Sequence, residues 1–139
     1  MCIRDRLGTE DLLKVIVAVL EATRMTGDVI YGVRHPGQFD ALHRHAPNIR
    51  ALAMPAAPEP LEHYLDGCVT AVRLWEDEVT SERLARIHAA GREAWVTAGR
   101  RSEGEAPGFI TAQRIAALSQ SGVDAVLVND PRLALAARA

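Results

Sequence analysis

Apolar and polar positions alternate along this chain in a unit that recurs roughly every 20 to 30 residues. Each unit is a glycine or turn, a short β-branched run, a polar end, and then apolar residues at helical spacing. The units read VIYGVRHPGQFDALHRHAP, IRALAMPAAPEPLEHYLDG, VTAVRLWEDEVTSERLARIHAAG, EAWVTAG continued by GFITAQRIAALSQSG, and VDAVLVNDPRLALAARA. Strands alternating with helices at this spacing predict parallel pairing, because a parallel crossover needs a helix-sized connection. Parallel α/β folds carry their sites at the carboxyl ends of the strands. Five strand ends are therefore the places to read for function.

The punctuation predicts each element. Thr9 can cap a first helix, with Glu10 and Asp11 near its positive end and Gly27 as a left-handed stop. Strands are expected over 28–33, 49–54, 69–74, 94–97 and 123–128. Pro36 opens a helix carrying Phe39 and Leu42, which Pro47 stops. Leu61, Tyr64 and Leu65 mark a short helix that Gly67 ends. Thr80 or Ser81 caps a helix with Leu84 and Ile87 inward and Gly91 as its stop. Ile110, Ile115 and Leu118 belong to the next helix, and Pro131 begins a small last one. No linker interrupts residues 9–139, which read as one piece; the leader MCIRDRLG, residues 1–8, lacks the pattern and reads as non-native.

The strand sequences VIYGV, IRALAM, VTAVRL and VDAVLV are apolar on both faces, as in a sheet covered on both sides. An open doubly wound sheet meets that demand, and so does a barrel ringed by helices. A complete (β/α)₈ barrel needs about 250 residues. A chain of 139 residues can supply only a partial barrel, read here as its last five βα units. Cutting a barrel there exposes two sheet edges and favours self-association.

Composition narrows the partners. Net charge is −2 and aromatics are 4%, which gives no electrostatic reason to expect nucleic acid or an anionic membrane, and little material for base stacking. Cys2 and Cys68 match no metal or redox spacing, and Cys68 reads as a small buried residue. The longest apolar run, LLKVIVAVL, falls short of the roughly 18 residues of a transmembrane segment. No signal peptide is visible, so the default compartment is the cytoplasm, although a start lost upstream would remove any targeting signal.

Three stretches resemble a known family. VTSERLARIHAAGREAWVTAG is similar to the late segment of glycerophosphodiester phosphodiesterases, where a helix ending in His-Ala-Ala-Gly leads into a strand ending near a Trp-Thr pair. SGVDAVLVNDP resembles that family's closing Gly-Val-Asp, apolar strand and Thr-Asp-x-Pro. DVIYGVRHPGQFDALHRHAPNIRALAM shares its layout of strand, short helix ending at proline, and strand. The resemblance runs from about Thr9 to Ala139. It implies a (β/α)₈ barrel that hydrolyses glycerophosphodiesters to glycerol 3-phosphate and an alcohol, with a divalent cation, calcium or magnesium, in the full-length enzyme. The family's His-Arg-Gly, Glu-x-Asp, His-Asp and Glu-x-Lys motifs do not occur in this sequence. The resemblance therefore implies a carboxyl-terminal part with no catalytic residue, no metal ligand and no bound cofactor of its own. Three positions depart from the pattern: Arg34-His35 stands for Ser-Phe, Thr97 falls where tryptophan is usual with Trp95 two residues earlier, and Asn129 replaces the final threonine before Asp130 and Pro131.

The strand ends supply the substrate-pocket candidates. Arg100 and Arg101 can bind a phosphodiester bidentately, or lie in a solvated loop balanced by Glu103 and Glu105. Trp75 can pack on a glycerol or alcohol moiety and Glu76 can bond its hydroxyls; otherwise they form a rim tryptophan and an exposed acidic turn with Asp77 and Glu78. Arg34 and His35 end the first strand, and His35 is either an acid/base group or the start of the helix that Pro36 opens. His88 is expected to pack its helix end. Asp130, with Trp95, Thr97 and Asn129 beside it in the candidate set, can orient a hydroxyl or cap a helix. Two functions remain open: a piece of a phosphoric diester hydrolase acting on a small-molecule glycerophosphodiester, inactive alone, or a non-catalytic α/β binding module or half-barrel that pairs with its own copy. An aldolase-type lyase would need a strand-end lysine, and the only lysine, Lys14, is in a helix.

Overall fold

The computed structural model of the chain describes residues 10–55, 60–67, 69–99 and 104–137. The leader, Thr9, both cysteines, Arg100, Arg101 and the middle of the Pro-rich link lie outside the described residues. Five strands form one parallel sheet: β1 (Ile30–Val33), β2 (Arg50–Ala53), β3 (Ala71–Trp75), β4 (Glu93–Thr97) and β5 (Ala125–Leu127). Helices α1 (Glu10–Ala22), α2 (Pro36–His45), α3 (Glu62–Leu65), α4 (Ser81–Ala89), α5 (Ala112–Gln120) and α6 (Pro131–Ala136) precede, separate and follow them, with a 3₁₀ turn at Glu76–Glu78.

The strands lie in the order β1-β2-β3-β4-β5. Every crossover therefore steps the same way around the sheet. A doubly wound sheet reverses direction at a switch point, and this one does not. The sheet is an arc of a barrel, and the open doubly wound alternative is set aside.

Alternation along the strands sorts side chains onto two faces. Val33, Ala51, Ala53, Val72, Leu74, Ala94, Val96 and Ala98 pack against Leu13 and Val17 of α1, Phe39 and Leu42 of α2, Leu84 and Ile87 of α4, and Ile115 and Leu118 of α5. That face is the core. Ile87 is fully buried, and losing its side chain to alanine would cost about 2–5 kcal/mol. The opposite face, which turns inward in a barrel, carries Gly32, Arg50, Leu52, Ala71, Arg73, Trp75, Glu93, Trp95, Thr97 and Leu127. It mixes charged and aromatic side chains with Leu52, Ala71 and Leu127, where the helix-covered face is aliphatic apart from Tyr31.

Most punctuation acts as the sequence predicts. The hydroxyls of Thr80 and Thr111 cap α4 and α5, and Gly91 and Gly122 follow those helices with φ of 70° and 90°. β1, β2 and β5 are shorter than periodicity implies, and β3 starts later, because residues such as Ile49 and Val69 are buried without belonging to a ladder. β3 runs on to Trp75 at its far end, and β4 begins one residue earlier than expected, at Glu93.

The end of α1 is a correction. The helix stops at Ala22, and the left-handed residue is Arg24, with φ of 58°, rather than Gly27. Met25 N–H donates to Leu20 O at 2.9 Å and Arg24 N–H to Glu21 O at 3.1 Å, the pair of bonds that defines a Schellman ending. Thr23 also donates its hydroxyl back to Val19 O. Local hydrogen bonding ends the helix before the glycine is reached.

Candidate functional site

The carboxyl rim is organised around the end of β3. Glu76 follows Trp75 into the 3₁₀ turn, and its side chain is 11% exposed, so the expectation of an exposed acidic turn fails at this residue. Arg114 of α5 donates Nε to Oε1 and Nη2 to Oε2 of Glu76, both at 2.7 Å. Gly99 N–H donates to Oε2 at 2.9 Å. Arg114 also donates to both oxygens of Glu105, at 3.3 and 3.0 Å. The hydrogen bonds to Glu76 first, and then those to Glu105, raise the Arg114 pKa further above its ordinary value. Glu76 is thus a clamp between β3, the end of β4 and α5; both of its oxygens are committed within the protein.

The loop after β4 is pinned at a second point. Gly108 N–H donates to Ala98 O at 2.7 Å, Asn129 N–H to Gly108 O at 3.0 Å, and the Asn129 amide to Pro107 O at 2.7 Å. Gly108 has φ of 81°, and a Cβ there would lie 2.3 Å from Asn129 Oδ1, so glycine is required by both backbone and space. Asn129 is a loop fastener. Asp130 caps α6, accepting the Arg132 N–H at 3.0 Å and the Arg132 guanidinium at 2.9 and 3.0 Å. Those Arg132 contacts hold its carboxyl below the usual carboxylate range.

At the end of β1, the backbone N–H groups of Arg34 and His35 both donate to Gln38 Oε1, at 2.9 and 3.2 Å. His35 is the N-cap residue of α2, the helix-start role. The fully buried Tyr64 donates its hydroxyl to Arg34 O at 2.8 Å and meets Phe39 edge-on, with 5.9 Å between ring centroids. The two exposed side chains of Arg34 and His35 thus stand on a fixed backbone.

The inner face has a vertical order. At its amino end Glu93 receives the Trp95 indole N–H at 2.8 Å and pairs with Arg50 at 3.3 Å. Trp95 is therefore directed away from the rim. Above it, Arg73 lies beside Trp95 and Trp75 beside Thr97 in the β3–β4 register. The Arg73 guanidinium carbon sits 4.4 Å from the Trp75 ring centroid. Trp75, Thr97 and Arg73 are the side chains that the fold brings together below the rim. Arg73 escaped the sequence reading, although a charge in the middle of VTAVRLW, two residues from a tryptophan and so on its face, is the signal that would have found it.

Among the described residues no three histidine, cysteine, aspartate or glutamate side chains converge to hold a metal ion. Glu76, Glu93 and Asp130 spend carboxylate oxygens on Arg114, on Arg50 and Trp95, and on Arg132. These donors do not fit a divalent cation. Among the described residues no helix is long and apolar enough to cross a membrane.

A protein from Galdieria sulphuraria, named as a glycerophosphodiester phosphodiesterase, superposes on 98% of this chain with a TM-score of 0.75 and 17% identity. A protein from Silicibacter pomeroyi DSS-3, named as a glycerophosphoryl diester phosphodiesterase, superposes on 92%, with a TM-score of 0.73 and 15% identity. The fold is that of the glycerophosphodiester phosphodiesterase barrels. This chain spans 53% and 43% of those two proteins. The N-acetylmannosamine-6-phosphate 2-epimerase of Clostridium perfringens also superposes, on 91% of this chain and 57% of its own, with a TM-score of 0.63 and 10% identity. One architecture thus serves two named reactions, as barrels do. No protein-family model and no curated protein matches the sequence.

Within the phosphodiesterase fold, two stretches behind the family resemblance meet at the amino end of the strands. His88, from His-Ala-Ala-Gly, lies with Nε2 2.8 Å from Oδ2 of Asp124, from Gly-Val-Asp. The same oxygen accepts the Ala94 N–H at 2.7 Å. His88 does pack its helix end, through this bond. The amino-terminal face of a barrel is where stability is built.

Proposed function

We propose that this chain is the carboxyl-terminal part of a phosphoric diester hydrolase of the glycerophosphodiester phosphodiesterase family. The observation that carries the reading is a barrel arc matching two such proteins over more than nine-tenths of its length. The sequence likeness around His88 and Asp124 supports it independently. In this reading the complete enzyme converts a glycerophosphodiester and water to glycerol 3-phosphate and an alcohol. Its acid/base groups and a calcium or magnesium ion belong to strands outside these 139 residues. This chain contributes one wall of the pocket, in which Trp75 packs against the alcohol or glycerol part and Thr97 and the β1-end pair Arg34-His35 border it.

The test is hydrolysis of glycerophosphocholine by the purified chain with calcium or magnesium. No turnover is expected; turnover would refute the division of labour. A reading frame upstream of Thr9 that lacks a strand ending in His-Arg-Gly within roughly a hundred residues would refute the family assignment.

A second reading, a half-barrel that pairs with its own copy, is favoured by the outer side of α1, where Leu12, Val15 and Val19 are 40, 58 and 55% exposed. Sedimentation of a monomer across micromolar concentrations would eliminate it.

A further inference from the structure

Arg73 occupies the middle of β3 on the inner face and is 8% exposed. Its guanidinium is stacked on the indole of Trp75, the next residue on that face toward the rim. Thr97 stands beside Trp75 on the neighbouring strand, half-buried. We propose that Arg73, held flat by Trp75 and flanked by Thr97, binds the phosphoryl oxygens of an organophosphate that enters from the carboxyl-terminal mouth. The proposal rests on the phosphodiester reading of the same pocket and adds the residue that grips the phosphate.

Stacking is what suits Arg73 to this task. The guanidinium carbon lies over one ring face, a contact that the N–H groups do not themselves make. A guanidinium carries five donors in a fork, and two of them can meet two phosphoryl oxygens in parallel. Leu52 and Ala71, buried on the same face, keep the surroundings apolar, which strengthens attraction between guanidinium and phosphate. Glu76, the acidic residue nearest Trp75 in the chain, has both oxygens turned to Arg114, which it shares with Glu105, and Glu78 turns a carboxylate oxygen to the Trp75 backbone N–H at 2.9 Å. Glu93 lies at the other end of the face, between Arg50 and Trp95. A threonine hydroxyl at the level of Trp75 can donate to a third oxygen or to the ester oxygen. The register thus stacks a structural layer, an anion layer and an aromatic rim in one direction.

The chain contains two tryptophans, so Trp95→Phe leaves Trp75 as the sole indole reporter. Titrating this version of the full chain with glycerol 3-phosphate, and separately with inorganic phosphate, should change the Trp75 fluorescence saturably. In the same background Arg73→Met is expected to weaken glycerol 3-phosphate at least about tenfold, and Thr97→Val about two- to fivefold, with unchanged circular dichroism. Arg73→Lys keeps the charge but not the paired donors and should weaken it several-fold; it decides the matter if Arg73→Met fails to fold. Glycerol 3-phosphate binding that survives Arg73→Met within twofold overturns the proposal and leaves the phosphodiester reading standing. A response that sulfate and chloride reproduce, and that Arg73→Met leaves intact, is an ionic-strength effect and overturns it as well. Silence toward both phosphates in the parent chain also overturns it, whereas the hydrolase reading stands or falls with the upstream strand.

Discussion

Asp124 joins three elements through one oxygen, and removing it should cost more than its surface position suggests. Ala94 is fully buried, and its N–H has Asp124 Oδ2 as acceptor at 2.7 Å. Asp124→Ala strands that donor, at about 1–3 kcal/mol. The pair with His88, whose side chains are 40 and 41% exposed, adds only about 0.5 kcal/mol because water screens it. Asp124→Ala should therefore lose about 2–3 kcal/mol. Asp124→Asn keeps a carbonyl acceptor for Ala94 and should lose about 1 kcal/mol or less. In urea the alanine variant's midpoint falls on the order of 1–2 M with the slope unchanged. A cycle with His88→Ala isolates a coupling of about 0.5 kcal/mol.

The acid dependence follows from the same contacts. Burial pushes the Asp124 carboxyl upward, but the Ala94 N–H and then His88 outweigh it, and the net shift is downward. A depressed native pKa means that the stabilisation is complete above the unfolded value of about 3.9 and drains away as pH falls through the lower native value. The gap between parent and Asp124→Asn should thus close only below about pH 4. Equal losses for Asn and Ala at position 124, or a gap that persists unchanged to pH 2, would refute the reasoning.

Two further perturbations test the rim and the first helix. Arg114→Ala leaves the nearly buried Glu76 carboxylate with the Gly99 N–H alone and should cost about 2–4 kcal/mol, against about 1 kcal/mol for Glu76→Gln, read as urea midpoints; equal costs would contradict a clamp. Arg24→Gly relieves a left-handed backbone, should stabilise the chain by about 0.5–1 kcal/mol and should raise Tm by about 2–4 °C; a lower Tm would contradict the Schellman ending.

The architecture was legible because hydrophobic period and turn residues act locally. Pro36, Thr80, Gly91 and Pro131 each do at their own position what their chemistry dictates. Strand order was not legible, since periodicity predicts parallel strands without saying whether the winding reverses. Gly27 misled because glycine permits a left-handed residue without requiring one, and the hydrogen bonds of Leu20 and Glu21 were satisfied earlier. The rim misled for a different reason. Glu76 looked like a substrate group beside Trp75, but its partner Arg114 is 38 residues away and joins it only when α5 docks. Long-range ion pairs leave no periodic trace. Arg73 is hidden in the opposite way: apolar residues dominate VTAVRLW, and one charge among them does not alter the strand's period.

The two ends of the strands carry different kinds of information. At the amino end His88 and Asp124 come from the stretches by which the sequence resembles the phosphodiesterases, and they bond to each other rather than pointing at a pocket. Their chemistry fixes how α4 and β4 meet β5, which is a condition on the fold. At the carboxyl end Arg34, His35, Thr97 and Asn129 depart from the family's residues while the backbone beneath them holds its place through Tyr64, Gln38 and Gly108. The chain shares this fold with two proteins at 15 to 17% identity, and the bonds that fix its strand ends run through backbone groups that Tyr64, Gln38 and Asn129 hold. Ligand preference is therefore to be sought on the inner face, where Arg73, Trp75 and Thr97 lie together below the rim.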